Sequence, residues 1–193
     1  MPPAIHTATT SDEERIVAVL VLAFSRDPAV RWAFPEPSRY LTYFPRFVRA
    51  FGGRAFEHGS AHYADGYVGA ALWLPPDVHP DEDAMGTVFQ EGAAEQAQED
   101  VFALLEQMAS YHPSEPHWYL PLIGVDPTRQ GNGYGSALLQ HATALCDRDG
   151  RLAYLESSNP ANVPLYERHG FEVVGTIQAG SSPPFWPMVR KPH

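Results

Sequence analysis

The chain has 193 residues, enough for one well-buried α/β domain, and no Ser/Gly-rich or charge-block linker divides it, so residues 1–193 are read as a single domain. A formal charge of −10 argues against a general nucleic-acid binder or a polybasic membrane ligand, since both need a cationic face. A single cysteine, Cys146, rules out an intramolecular disulfide and any multi-cysteine metal site.

In chain order, a short strand at 5–8 leads into a helix over 12–24, started by the capping-box spacing of Ser11 and Glu14. The apolar run inside that helix follows acidic residues, the opposite of a secretory leader, and is too short to span a bilayer, so a cytoplasmic location is expected. A second helix over 39–51 stops at Gly52-Gly53. Residues 61–64 and 68–74 then alternate as a hairpin turning at Asp65-Gly66. His58 and His62 have i, i+4 spacing, but Gly59 between them and the lack of a third ligand argue against a metal site.

The segment 80–116 is polar and rich in Glu and Gln, with one helix expected near 100–108; Gly86 and Gly92 weaken any helix before it. It reads either as a solvated insertion or as a flap over a pocket. Beyond it the punctuation sharpens. Residues 117–125 form a strand, 134–147 a helix ended by Gly150, and 152–158 another strand. A short helix follows, which Asn162 can cap and which has Pro164 in its first turn and Gly170 at its end. Strands over 171–179 and 185–191 close the chain, giving a mixed sheet with helices on its faces. Cys146 falls on the apolar face of its helix and reads as a buried, inert thiol.

The junction Arg129-Gln-Gly-Asn-Gly-Tyr-Gly135 carries a glycine at every second position between a strand and a helix. Free amides at such a helix start, aided by the helix dipole, make an anion site. A P-loop would need a lysine and a spacing that are missing, and Gly131-Asn-Gly133-Tyr-Gly135-Ser136 misses the dinucleotide fingerprint by one position. Glu156 does stand about twenty residues on, where a ribose-binding acid belongs. Too little chain follows, however, to complete a dinucleotide fold, and NAD(P) binding is kept as the weaker alternative.

Gln130-x-x-Gly133-x-Gly135, preceded by Val125-x-Pro127 and followed by Leu138-Leu139, resembles motif A of the GNAT N-acetyltransferases, and "NPANVPLYERHGF" at 159–171 resembles that superfamily's second cofactor element. Within the superfamily, "EPHWYLPLIGVDPTRQGNGYGSALL", "YLESSNPANVPLYERHGFEV" and "MVRKP" look most like the puromycin N-acetyltransferase branch; residues 36–110 resemble it least. The resemblance implies an α/β acyltransferase fold with splayed central strands. It also implies acetyl-CoA as donor and a small-molecule amine as acceptor, whether an aminonucleoside or another antibiotic-like amine, with resistance and metabolic roles both open.

On that pattern, Gln130, Gly131, Asn132, Gly133, Tyr134, Gly135 and Ser136 would present amides to the pyrophosphate, with Arg129 adding charge. Val125 would pair with the pantetheine arm and Ile123 would aim its N–H at the thioester carbonyl. A proline cannot donate to a ladder, so Pro121 marks either a bulge that opens a slot or an edge strand. Tyr166 would protonate the departing thiolate, or else is a core aromatic. Asn159 and Asn162 read as a cap and a cofactor contact.

Glu156 is the first-choice base, sharing a face with Tyr154 and Ser158, and His117 is the second. Trp32, Phe34, Tyr40, Tyr43, Phe44, Phe47 and Phe51 would suit a flat or apolar amine, although core packing explains most of them. The implied chemistry is direct transfer in a ternary complex by a monomer or homodimer. An acyl-CoA sensor without turnover is the other alternative.

Overall fold

The structure is a computed structural model and describes residues 3–193. Seven strands, β1 (Ile5–Thr7), β2 (Ala61–Ala64), β3 (Gly69–Leu74), β4 (His117–Val125), β5 (Leu152–Ser157), β6 (Glu172–Val173) and β7 (Trp186–Arg190), form one sheet in the order β1-β2-β3-β4-β5-β7-β6. The pair β4–β5 is parallel and its neighbours are antiparallel, so the repeated parallel crossovers of a dinucleotide fold do not occur.

Helices cover both faces. On one side lie α1 (Glu13–Ala23), α2 (Pro28–Ala33), α3 (Pro37–Gly52), α4 (Glu82–Gly92) and α5 (Gln98–Tyr111), sharing a core with Ala70, Leu72 and Leu74 of β3. On the other lie α6 (Tyr134–Asp149) and α7 (Val163–Glu167), packed with Ala71 and Trp73 of the same strand. The period-two alternation of β3 therefore feeds two separate cores.

Four expectations need correction. First, α2 was not foreseen, although Asp27 caps it by accepting from the Ala29 and Val30 amides at 3.0 and 3.1 Å and Pro28 supplies its first turn. Second, α4 forms despite its glycines. Gly86 faces open space, and a Cβ on Gly92 would stand 2.3 Å from the Tyr43 ring, so Gly92 is what lets α4 close on α3. With Met85, Val88 and Phe89 of α4 and Val101 and Leu104 of α5 buried, 80–116 is a structural wall and not a solvated insertion. Third, the hairpin connects through residues 65–68, with Gly66 and Tyr67 both at positive φ, and not through a two-residue turn. Fourth, the strand expected over 171–179 shrinks to β6 plus a single bridge from Ile177 to Phe185.

His62 of β2 is buried, with neither ring nitrogen hydrogen-bonded among the described residues, edge-on to His141 at 4.6 Å. Burial, then the neighbouring His141, holds its pKa down to about 4. The unfolded chain thus binds a proton here below about pH 6.5 that the folded chain refuses until about pH 4, and stability falls as pH drops through that window.

Two outcomes follow for denaturant titrations. His62→Leu should remove about 2 kcal/mol of the stability lost between pH 7 and pH 5, and an unchanged pH slope would contradict the assignment. Gly92→Ala should cost ~1–3 kcal/mol by overpacking Tyr43; a neutral result would mean that the α3–α4 contact yields freely.

Candidate active site

β4 is a central strand, so Pro121 marks a bulge and not an edge. Leu72 pairs with Leu122 but Leu74 with Tyr119, which places one extra residue on β4 around Leu120 and Pro121. The extra residue inverts the strand's faces. Before it, Tyr119 points to the α1–α5 core and Trp118 and Leu120 to the α6 side; after it, Leu122 joins the first core and Ile123 and Val125 the second. Parallel pairing with β5 covers His117–Tyr119 against Leu152–Tyr154 and ends there, so the two central strands part beyond Tyr119.

The register also sets the direction of the amides along the parting. The Asp126 N–H donates to Val68 O at 2.8 Å, and alternation from that pair turns the N–H and C=O of Ile123 and Val125 away from β3, into the gap. The Gln130 side-chain amide donates to the Val125 carbonyl at 3.3 Å from that side.

At the end of the gap lies the glycine loop. Gly131 (φ 78°) and Gly133 (φ 82°) adopt the left-handed region, which accounts for two of the three glycines as a turn requirement, and the space where their side chains would be is open. Gly133 is the N-cap of α6 and makes no side-chain cap, so the first amides of that helix face outward. The Asn132 side chain binds back to the Arg129 and Gln130 carbonyls at 2.9 and 3.1 Å, closing the loop on itself. Ser136 hydroxyl and His169 Nε2 share a 2.7 Å hydrogen bond that ties the helix start to the segment after α7.

A cleft of about 670 Å³ runs along these groups. Ile123, Val125, Arg129, Gln130, Gly131, Gly133, Tyr134, Gly135, Ser136, Asn159, Asn162 and Tyr166 all line it; Asn132 and Glu156 do not. Sequence reasoning missed Arg26 and Arg168, which together with Arg129 put three guanidinium groups on the cleft of an acidic protein. The cap expected from Asn162 is not made; Asn159 supplies one, its Oδ1 accepting from the Ala161 amide at 3.0 Å.

Tyr166 is buried in the cleft wall, edge-on to Phe171 at 6.2 Å. Burial, then the charge of Asp27, raises its pKa, so the phenol stays protonated at neutral pH. Asp27, also missed from sequence, is a buried carboxyl in the same cleft whose pKa burial pushes up. Both its oxygens already accept: Oδ1 takes the two α2 amides and Oδ2 the Ser158 hydroxyl at 2.6 Å. It pins the start of α2 to the end of β5.

Across the parting, on the α1–α5 side, is a smaller cavity of about 90 Å³. Phe24 lines both hollows. Trp32, Phe34, Phe44, Phe47 and Phe51 form its walls, while Tyr40 and Tyr43 do not reach it. Tyr40 bonds instead to the Val21 carbonyl and Tyr43 stacks on Phe34. Within the lining Glu156 is the one charged residue. Its side chain is 2 % exposed, Oε2 accepts from the Tyr119 hydroxyl at 2.8 Å, and Oε1 has no hydrogen-bond partner among the described residues. His112 Nε2 stands 3.3 Å from Oε1.

His117, the second-choice base, lies behind His112 and shares a 3.2 Å hydrogen bond with its Nδ1. Cys146 is fully buried with its thiol pKa pushed up to about 12 by burial, which suits an inert thiol. No cluster of three or more metal-ligating side chains occurs among the described residues.

An uncharacterized N-acetyltransferase of Schizosaccharomyces pombe is 37% identical over 79 residues, covering 39% of this chain and 32% of the relative. The mycothiol acetyltransferase of Mycolicibacterium gilvum is 40% identical over 86 residues, covering 40% of this chain and 28% of the relative. The chain thus spans about a third of the length of these curated relatives. A solved structure from Corynebacterium glutamicum, described as histone acetyltransferase HPA2 and related acetyltransferase, superposes with a TM-score of 0.72 at 29% identity over 100% of this chain and 98% of that one. The model of the Acetyltransferase (GNAT) family matches residues 27–171. With the parted strands, the glycine loop and Tyr166 all inside that match, the chain belongs to the GNAT family of acetyltransferases.

Proposed function

We propose that the chain transfers an acetyl group from acetyl-CoA directly to the amine of a small, largely apolar molecule. The observation that carries this reading is Glu156 Oε1: a carboxylate oxygen sealed from solvent, with His112 Nε2 3.3 Å away but no hydrogen-bond partner among the described residues, at the charged end of an otherwise apolar cavity beside the strand parting. A buried acceptor atom left unsatisfied is costly, and an ammonium entering the cavity would satisfy it.

The cleft fits a long anionic donor. The outward amides of residues 130–136 at the α6 start, with Arg26, Arg129 and Arg168, suit phosphates. The unpaired backbone of Val125 suits an extended amide-bearing arm, once the Gln130 side chain leaves the Val125 carbonyl, and the free Asn162 side chain offers a further polar contact. Acetyl-CoA supplies the activated acyl thioester. Ile123 N–H, directed into the gap, donates to the acyl oxygen as it gains charge; Glu156 takes one proton from the ammonium before attack, Tyr166 gives its hydroxyl proton to the departing sulfur, and the second proton, shed by the nitrogen after attack, restores the Tyr166 phenol. Glu156 is favoured over Asp27 as base because every Asp27 oxygen already accepts a hydrogen bond.

The cavity sets the acceptor class. Aromatic and aliphatic walls with one carboxylate favour an amine bearing one cation and an apolar or aromatic body, over a polyamine whose second charge would find no partner there. An aminonucleoside of the puromycin type, which the branch resemblance points to, presents an amine beside an aromatic ring and fits the same description.

A thiol-release screen tests this. Arylalkylamines and aminonucleosides should be turned over well ahead of polyamines, whereas tight acetyl-CoA binding with no thiol release from any amine would make the chain a sensor. Tyr166→Phe should lower kcat by about 10²–10⁴-fold with acetyl-CoA binding retained, and near-full activity would remove Tyr166 from the chemistry.

A further inference from the structure

We infer that His112 and His117 form a proton relay that carries the amine's proton from Glu156 to solvent. The inference rests on Glu156 as the base. Glu156 is enclosed, with a side chain 2 % exposed, so a proton it accepts needs a way out in each turnover. A continuous row of polar atoms leads from it. Glu156 Oε1 is 3.3 Å from His112 Nε2, His112 Nδ1 is 3.2 Å from His117 Nε2, and His117 Nδ1 is 2.8 Å from the Glu115 carbonyl at the surface.

With both rings uncharged, the partners fix where the hydrogens sit. A carbonyl oxygen can only accept, so His117 Nδ1 carries a hydrogen; its neutral ring then accepts at Nε2, and His112 Nδ1 must be the donor. Neutral His112 therefore presents a bare Nε2 lone pair to the Oε1 lone pairs of Glu156. Three gaps in the row need three protons, and two neutral imidazoles beside a carboxylate bring two. The vacant place lies between Oε1 and His112 Nε2, where the proton removed from the ammonium arrives. When His112 Nε2 takes it, the Nδ1 hydrogen passes to His117 Nε2 and His117 yields a proton to water. One proton enters from the amine and one leaves at His117; both rings end in the opposite tautomer, and each returns to the starting one by proton exchange with water before the next turnover, the His112 side chain being 30 % exposed.

The rest of the surroundings suits this traffic. From β4, Tyr119 donates to Oε2 and keeps Glu156 oriented; Tyr154 of β5 and Tyr119 flank the His112 ring at 4.5 and 4.6 Å. Tyr111 of α5 faces Tyr154, and burial, then the Glu156 carboxylate that both Tyr119 and Tyr154 face, raises the pKa of both, so each phenol keeps its own proton beside Glu156. At the outer end His79 and Glu115 lie by His117, whose pKa burial lowers, so that it releases a proton readily. His112 belongs to the loop directly after α5, in the segment 80–116 that the sequence left open as an insertion or a flap.

The test follows kcat against pH with acetyl-CoA and 2-phenylethylamine for the wild type, His112→Gln, His112→Phe and Glu156→Gln. Both His112 variants should lose at least about tenfold in kcat, short of the ~10²–10⁴-fold expected for loss of the base itself, with KM for acetyl-CoA unchanged. Added imidazole should restore part of the rate in His112→Gln and none in Glu156→Gln. If Glu156→Gln is inactive while both His112 variants keep the wild-type rate and pH profile, the relay is overturned and the base stands. If Glu156→Gln is fully active, both fall. Imidazole ¹⁵N shifts read the row without any acceptor: neutral His117 should carry its hydrogen on Nδ1, and a hydrogen on Nε2 overturns the relay.

Discussion

One extra residue in the middle of a central strand governs the rest of the molecule. A regular β4 would stay paired with β5 along its length and would place Ile123 and Val125 on the same face as Tyr119. The bulge at Leu120–Pro121 breaks both consequences at once: pairing with β5 stops at Tyr119, and the later residues of β4 swap faces. Proline belongs there for a physical reason, since it withholds a donor where the ladder has opened. Strand amides left without a neighbour in a buried sheet are costly, and an extended ligand laid along the parting repairs them.

The parting also lets two hollows of opposite character meet. On the α6 side the cleft combines helix-start amides with Arg26, Arg129 and Arg168, a local cationic patch in a chain with a net charge of −10. On the other side the cavity is aromatic and holds one carboxylate. Asp27 and Ser158 fasten the seam between them by bonding the start of α2 to the end of β5, and Phe24 lies on both sides. Membership of the GNAT family accounts for the first hollow. The proposed acceptor and proton path depend on the second.

The last third of the sequence was legible because its signals are local. The glycine loop, the Gly150 stop and the alternation of β5 each follow from a few adjacent residues, and Glu156 and Tyr154 do share a face as that alternation requires. The middle of the chain was harder. Gly92 reads as a helix breaker in isolation, and only its contact with Tyr43 shows that the missing side chain is what the packing needs. The aromatic run from Trp32 to Phe51 could not be divided by spacing alone into cavity lining and core, because that division depends on where α3 meets β4 and α5. Arg26, Asp27, Arg168 and His112 were passed over for the same reason: each acquires its place through elements distant in sequence. Asp27-Pro28 was a readable helix start, and recognising it would have recovered α2.

The central claim is that the main chain of the parted strand and of the glycine loop grips the donor. Backbone amide hydrogen exchange, followed with and without coenzyme A, reads this directly. The account predicts slowed exchange at Ile123, Val125 and the amides of 130–136 when the ligand is present. Binding that leaves those amides untouched, and protects a different surface, would contradict it.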